Sequence, residues 1–280
     1  NEELPYHKDG RYKPWFDASA HDIGAKQFMG KTIPARTNDN NTAFQVKNEE
    51  VAQLINIIFE ARPEAVSTFI AEKVYRYFVY SSPTEVDQDF IQEVAQIYRD
   101  SDFDVRALLK AVFTSKHFFD PALRGCQIKT PLEFISTMLR QLGTNISDPQ
   151  VWSSKMDQAV MDPPNVAGWP GYRAWISTNT YPQRRDFARQ VINALKDDEV
   201  NTWIREFDDF DDVYKFVANV VPFLLPVPVS EERMDFYVSS VLQNAPDYDW
   251  PQIVNDPAAA ASRVRNLLNT IAKAPDFQLC

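Results

Sequence analysis

The sequence predicts an all-α fold, and three observations carry that reading. Glycine is scarce: seven residues in 280, against the roughly 7% of an average protein. With so few positions free for left-handed backbone, hairpin-rich β architecture is disfavoured. A capping residue followed by proline recurs at Ser82-Pro83, Thr130-Pro131, Asp148-Pro149 and Asp256-Pro257, which is a helix-start signal. Between these starts the apolar residues return at three- and four-residue spacing.

Residues 1–45 show no such period and are rich in Pro, Asp, Asn and Lys. They read as an irregular N-terminal arm packed on the body through Tyr12, Trp15, Phe16 and Phe28. Residues 46–280 read as one helical domain. Asn48 can cap a first helix with Val51, Leu54, Ile55 and Ile58 on its face. Pro63 starts a second, with Val66, Phe69, Ile70, Val74 and Tyr77 expected inside. Ser82-Pro83 starts a third, bearing Phe90, Val94, Ile97 and Tyr98. Asp104 opens a fourth through Leu108, Leu109 and Val112.

Thr130 with Glu133 forms a capping box, and Gly143 is the matching stop. Between them Leu132, Ile135, Leu139 and Leu142 share a face. Asp148-Pro149 begins a short helix. Thr180 begins another, running through Leu195. Val213, Phe216, Val217, Val220 and Leu224 mark the next, which the prolines at 222, 226 and 228 should stop. Ser230 caps a helix bearing Met234, Tyr237, Val238, Val241 and Leu242. Asp256-Pro257 opens the last, with Val264, Leu267, Leu268 and Ile271.

One stretch breaks the helical pattern. Asp162 to Trp175 holds three prolines and two glycines within ten residues, a composition no helix tolerates. An apolar, aromatic loop inside a helical protein must be held by its surroundings, for packing or for a site. Trp169 and Trp175 serve either as buried plugs or as binding platforms for sugar rings or proline-rich peptides. Arg184, Arg185 and Arg189 form a basic patch beside the loop, suited to carboxylate, phosphate or sugar ligands or to pairing within the chain. Asn165, Trp169, Trp175 and Arg184 are the candidate ligand-binding residues.

The formal net charge of −10 and pI near 4.9 disfavour a nucleic-acid partner. No run of about 18 apolar residues supports a transmembrane helix. Two cysteines are too few for a disulfide framework. His7, His21 and His117 are scattered and no HExxH or paired CxxC occurs, so no metal and no cofactor is expected. Gly24 to Thr32 misses the Walker spacing by one residue. His21-Asp22 with Lys26 is the densest set of titratable groups in the arm and the candidate catalytic set. The cluster Asp208, Asp209, Asp211 and Asp212 lacks calcium-loop spacing and reads as charge at a helix start.

The stretch Pro163-Pro164-Asn165-Val166-Ala167-Gly168-Trp169-Pro170-Gly171, followed by Trp175 and Arg184-x-x-Phe187-Ala188, resembles the bacterial family known as domain of unknown function 1800. His21-Asp22-x-Gly24-x-Lys26-x-x-x-Gly30 resembles its second signature. Ile70-Ala71-Glu72-Lys73 to Phe78, and the run ending Ser115-Lys116-His117-Phe118, look like its helical middle. The resemblance covers essentially the whole chain.

It implies a C-terminal portion of a longer protein and a periplasmic, cell-surface or secreted home. It also implies an envelope partner from a sulfatase-like family (domain of unknown function 1501), and no established reaction. The leading expectation is therefore a non-catalytic protein that binds a partner protein or an envelope polysaccharide through residues 162–185. One alternative is a hydrolase-like enzyme acting on a glycan or other envelope substrate, with His21 as base, Asp22 as its orienter, and Lys26 or Arg184 stabilising an anion. The other is a structural scaffold.

Overall fold

The computed structural model describes residues 20–35 and 49–280. The expected arm anchors Tyr12, Trp15 and Phe16, and the expected cap Asn48, lie outside those residues. The fold is all-α. Twelve α-helices occur among the described residues, with one two-stranded sheet.

That sheet was not anticipated. Strand β1 (Lys26–Phe28) pairs antiparallel with β2 (Lys31–Ile33), Gln27 opposite Thr32. The turn between them is Met29-Gly30, with φ of 49° and 76°. Two consecutive positive φ values match the twist of a two-residue hairpin, and glycine at the second makes them affordable. The segment that nearly matched a phosphate loop is this hairpin.

The chain divides into two compact units. The first holds the hairpin, α1 (Val51–Ala61), most of α2 (Pro63–Phe78), α3 (Glu85–Asp100) and α4 (Val105–Phe113). Here α2 presents a different face from the one its apolar residues indicated. Ser67, Ala71 and Tyr75 are buried, while Phe69 is 58% and Tyr77 74% exposed. The stripe of small residues ends in Tyr75, whose hydroxyl donates to Asp87 Oδ1 at 2.6 Å. A buried hydroxyl needs such a partner, and Asp87 also closes the capping box of α3 with Thr84. Helix α3 accordingly starts at Thr84, two residues beyond the expected Ser82-Pro83. On α1, Ile57 is buried, whereas Val51, Leu54 and Ile55 are exposed. Asp104 caps α4 as expected, accepting from Arg106 N at 2.9 Å.

The second unit contains α5 (Pro131–Gln141), α6 (Pro149–Lys155), α7 (Thr180–Ala194), α8 (Asp197–Ile204), α9 (Val213–Leu224), α10 (Glu231–Leu242), α11 (Trp250–Ile253) and α12 (Pro257–Ala272). The capping box of Thr130 and Glu133 is formed, and Gly143 follows α5 with φ of 60°. Asp212, Ser230 and Asp256 cap α9, α10 and α12 through their side-chain oxygens. Helix α12 is the central member and packs on α7, α8 and α10. Its buried Ala260 and Ala261 allow close approach, and Val264, Leu267, Leu268 and Ile271 continue the stripe.

Two helices, α8 and α11, were not expected from the sequence. Pro222 lies inside α9 rather than ending it. It stands two residues before the end of the helix, so the hydrogen bond it removes belongs to the last turn. Cys126 and Cys280 are unbridged; the Cys126 thiol donates to the Val79 carbonyl at 3.0 Å.

Candidate functional site

The segment between α6 and α7 is fixed at both feet and exposed in the middle. At its start Met156 is fully buried, and buried Gln158 accepts from Leu132 N at 2.9 Å. At its end a 3-10 turn, Tyr172–Trp175, delivers Trp175 into the interior, where it is 4% exposed. The Trp175 carbonyl accepts from the Thr180 hydroxyl at 2.9 Å, and Thr180 Oγ1 accepts from Ser177 N at 2.9 Å. These bonds join the loop to the first turn of α7.

Between the feet, residues 161–167 are all exposed, with Met161 at 90% and Val166 fully so. Asn165 shapes this tip from within: its side chain accepts from Ala167 N at 2.8 Å and its carbonyl from Gly168 N at 3.1 Å. Gly168 then takes φ of 88°, a region that favours glycine. Trp169 is half-buried. Of the four candidate ligand-binding residues, Asn165 is therefore at the surface, Trp169 is partly covered, and Trp175 and Arg184 are inside.

Arg184 is fully buried on α7 and, among the described residues, has no carboxylate partner at salt-bridge distance. Its Nη2 donates to the Lys129 carbonyl at 2.8 Å and its Nη1 approaches Gln278 Oε1 at 3.4 Å. Its guanidinium lies 5.1 Å from the Phe134 ring centre, and its Nε has no hydrogen-bond partner among the described residues. Burial lowers its pKa to about 10.

Lys129 is the second buried cation here, 5% exposed. Its Nζ donates to the Phe277 carbonyl at 2.9 Å and sits 4.7 Å from the Phe277 ring centre. Burial lowers its pKa to about 8, and the neighbouring Arg184 charge adds to the effect. An antiparallel bridge between Ile128 and Leu279 brings the two cations together, because Lys129 and Gln278 flank it. Arg185 is exposed, and Arg189 pairs with Asp186 at 3.1 Å.

An open cavity of about 570 Å³ adjoins this bridge. Ile128, Ile176, Pro275 and Leu279 supply its apolar walls, and Arg173, Tyr181 and Gln278 its polar groups. No local pattern in the sequence marks it, since its walls come from three distant segments.

His21, Asp22 and Lys26 belong to the first unit, and the second candidate set to the other. His21 does not turn to Asp22. Its Nε2 lies 3.3 Å from Glu50 Oε1, and Lys26 Nζ lies 3.0 Å from the same oxygen. Asp22 instead accepts from Gly24 N at 2.8 Å, and its carbonyl accepts from Lys26 at 2.6 Å. Burial alone would raise the pKa of Glu50, which is 6% exposed. Hydrogen bonds from Lys26 and His21, with their charges, outweigh that and hold it below the usual carboxylate range.

Glu50 is the member of this cluster that the sequence reading missed, because it stands at a helix start 29 residues from His21. A histidine on a buried carboxylate has the chemistry of a general base. One cavity on this unit, about 290 Å³, is lined by residues including Lys31, Ile33, Gln53 and Glu60. The contacts tie the hairpin to the start of α1.

A lowered folded pKa means that Glu50 contributes stability above its unfolded pKa, about 4.3, and that this is lost as pH falls through the folded value. Glu50→Gln is therefore expected to lower amide protection factors in β1 and β2 at neutral pH to the level wild type reaches in acid. Equal protection in both proteins at neutral pH would show that the carboxylate does not hold the hairpin.

Among the described residues no three His, Cys, Asp or Glu side chains come together as metal ligands, and no helix is long and apolar enough to cross a membrane. A family model described as "Protein of unknown function (DUF1800)" matches residues 5–279. No curated protein and no solved structure matches the chain.

Proposed function

The chain belongs to the DUF1800 family, and from that premise we propose that it is a non-catalytic, extracytoplasmic binding protein whose partner is another protein docked on the tip at residues 160–167. The observation that carries this reading is the exposure of Met161 and Val166 on a loop pinned by Trp175, Thr180 and the Asn165 turn. Apolar side chains grouped on one fixed, exposed segment can form a contact surface. A tip already fixed in shape loses little entropy on binding.

A protein is favoured over a polysaccharide because the exposed groups are aliphatic. Sugar platforms need open aromatic faces, and Trp175 is buried while Trp169 is partly covered. The hydrolase reading has less support: His21 and Lys26 are directed at Glu50, an arrangement that ties the hairpin to the start of α1. The sulfatase-like family implied by the resemblance supplies the first partner to test.

Mixed with such a protein, the chain is expected to co-elute in size-exclusion chromatography. Met161→Asp with Val166→Asp should weaken the complex by about 100-fold, since charges would replace central apolar contacts. Both sites are exposed, so the melting temperature should not change. A complex indifferent to the double substitution would remove the tip as the docking site. Retention on an envelope polysaccharide that the substitution abolishes would favour the polymer instead.

A further inference from the structure

The 570 Å³ cavity stands at the other end of the same loop segment and is a site in its own right. Its volume is that of a small-molecule pocket. Ile128, Ile176, Pro275 and Leu279 would contact an apolar body, while Arg173 is the only charged residue among those that line it. The Arg173 guanidinium lies 5.5 Å from the Tyr172 ring centre and, among the described residues, has no carboxylate at salt-bridge distance.

Behind the wall, Arg184 reaches Gln278, which itself lines the cavity, and Lys129 follows Ile128. The groups that oppose this charge at Lys129 are Cys280 and, more weakly, Glu133, whose Oε2 already accepts from Thr130 N at 2.8 Å. This local excess of positive charge occurs in a protein of net charge −10. Such a field selects an anion for the Arg173 side of the lining, and the apolar walls select hydrocarbon for the rest.

We propose that this cavity binds a small amphiphilic acid, an alkyl carboxylate whose head pairs with Arg173 and whose chain lies along Ile128, Ile176, Pro275 and Leu279. A single planar guanidinium suits a carboxylate, which it can hold through two parallel hydrogen bonds. The site is independent of the partner proposed for the loop tip.

The test is calorimetric titration of the whole chain with decanoate, decanol and decyltrimethylammonium, each below its micellar concentration. Decanoate is expected to bind at one site, decanol about ten-fold more weakly, and the cation not at all. Arg173→Met, at an exposed position, should reduce decanoate affinity about ten-fold and leave decanol binding unchanged. Ile176→Trp, which fills the cavity, should abolish decanoate binding. Met161→Asp with Val166→Asp should leave it intact, which separates this site from the loop tip. Absence of decanoate binding would overturn the proposal, as would decanol binding equally well or decanoate binding that survives both Arg173→Met and Ile176→Trp.

Discussion

Trp250→Ala is expected to be the most damaging single truncation in the second unit, lowering its stability by about 3–5 kcal/mol. Trp250 opens the one-turn helix α11, is fully buried, and stacks on Phe216 with ring centres 5.8 Å apart at 26°. Its indole Nε1 donates to the Phe210 carbonyl at 2.9 Å. The substitution therefore opens a cavity and also leaves a carbonyl without its donor, which adds about 1–3 kcal/mol if water cannot reach it. Trp250→Phe separates the two effects, because it keeps most of the ring and loses only the donor.

Five of the six tryptophans, at 152, 169, 175, 203 and 250, belong to this unit. Their fluorescence in urea thus reports its unfolding, and the midpoint should fall with an unchanged slope. A loss below about 1 kcal/mol, small beside typical aromatic truncations in cores, would mean that the core collapses around the gap. Trp250 would then be filler and not a keystone.

What could be read from the sequence was what is local in the chain. The capping box of Thr130 and Glu133, and the Asp104, Ser230 and Asp256 caps, each involve residues two or three apart, so spacing alone places them. Faces were less legible where small or polar residues form the contact. On α2 the apolar weight pointed to Phe69 and Tyr77. The helix instead buries Ser67, Ala71 and Tyr75, because Arg99 of α3 donates to the Ser67 hydroxyl and Asp87 satisfies the tyrosine.

The site followed the same division. Proline and glycine punctuation exposed the 162–175 loop at once, since those residues forbid a helix wherever they fall. Its solvent-facing part proved to be Met161 and Val166 rather than the tryptophans, a matter of which side chains the fold covers. The Glu50 contact, the buried cation pair and the 570 Å³ cavity all depend on tertiary closure between segments far apart, and no periodicity encodes that.

Stability of the second unit is expected to rise with pH above neutrality, by up to about 3 kcal/mol, through Lys129 alone. In the unfolded chain this lysine titrates near 10.5, and in the folded chain at about 8. Between those values the unfolded state holds the extra proton, and stability increases with pH wherever that is so. Below about pH 8 the buried ammonium imposes its full penalty. The gap from 10.5 to about 8 corresponds to about 3 kcal/mol at 1.36 kcal/mol per pH unit.

Other groups also titrate in this range. Burial holds the Cys280 thiol up at about 11, which works in the opposite direction above pH 9. The informative quantity is therefore the stability of wild type minus that of Lys129→Met, measured between pH 7 and 10.5. It should rise across that window and be level below it. A flat difference would mean that Lys129 finds water or a counter-charge when folded.

Arg184→Met extends the argument. Burial contributes most to the displacement of Lys129, and the Arg184 charge contributes a further part. Removing that charge should move the rise in stability toward higher pH without eliminating it. Two cations buried around one glutamine, neither in a salt bridge among the described residues, are costly to keep unless the charge is used. A pH-dependent penalty that decanoate relieves would connect the Lys129–Arg184 pair to the neighbouring cavity, since an anion bound there would draw the lysine back toward its protonated form.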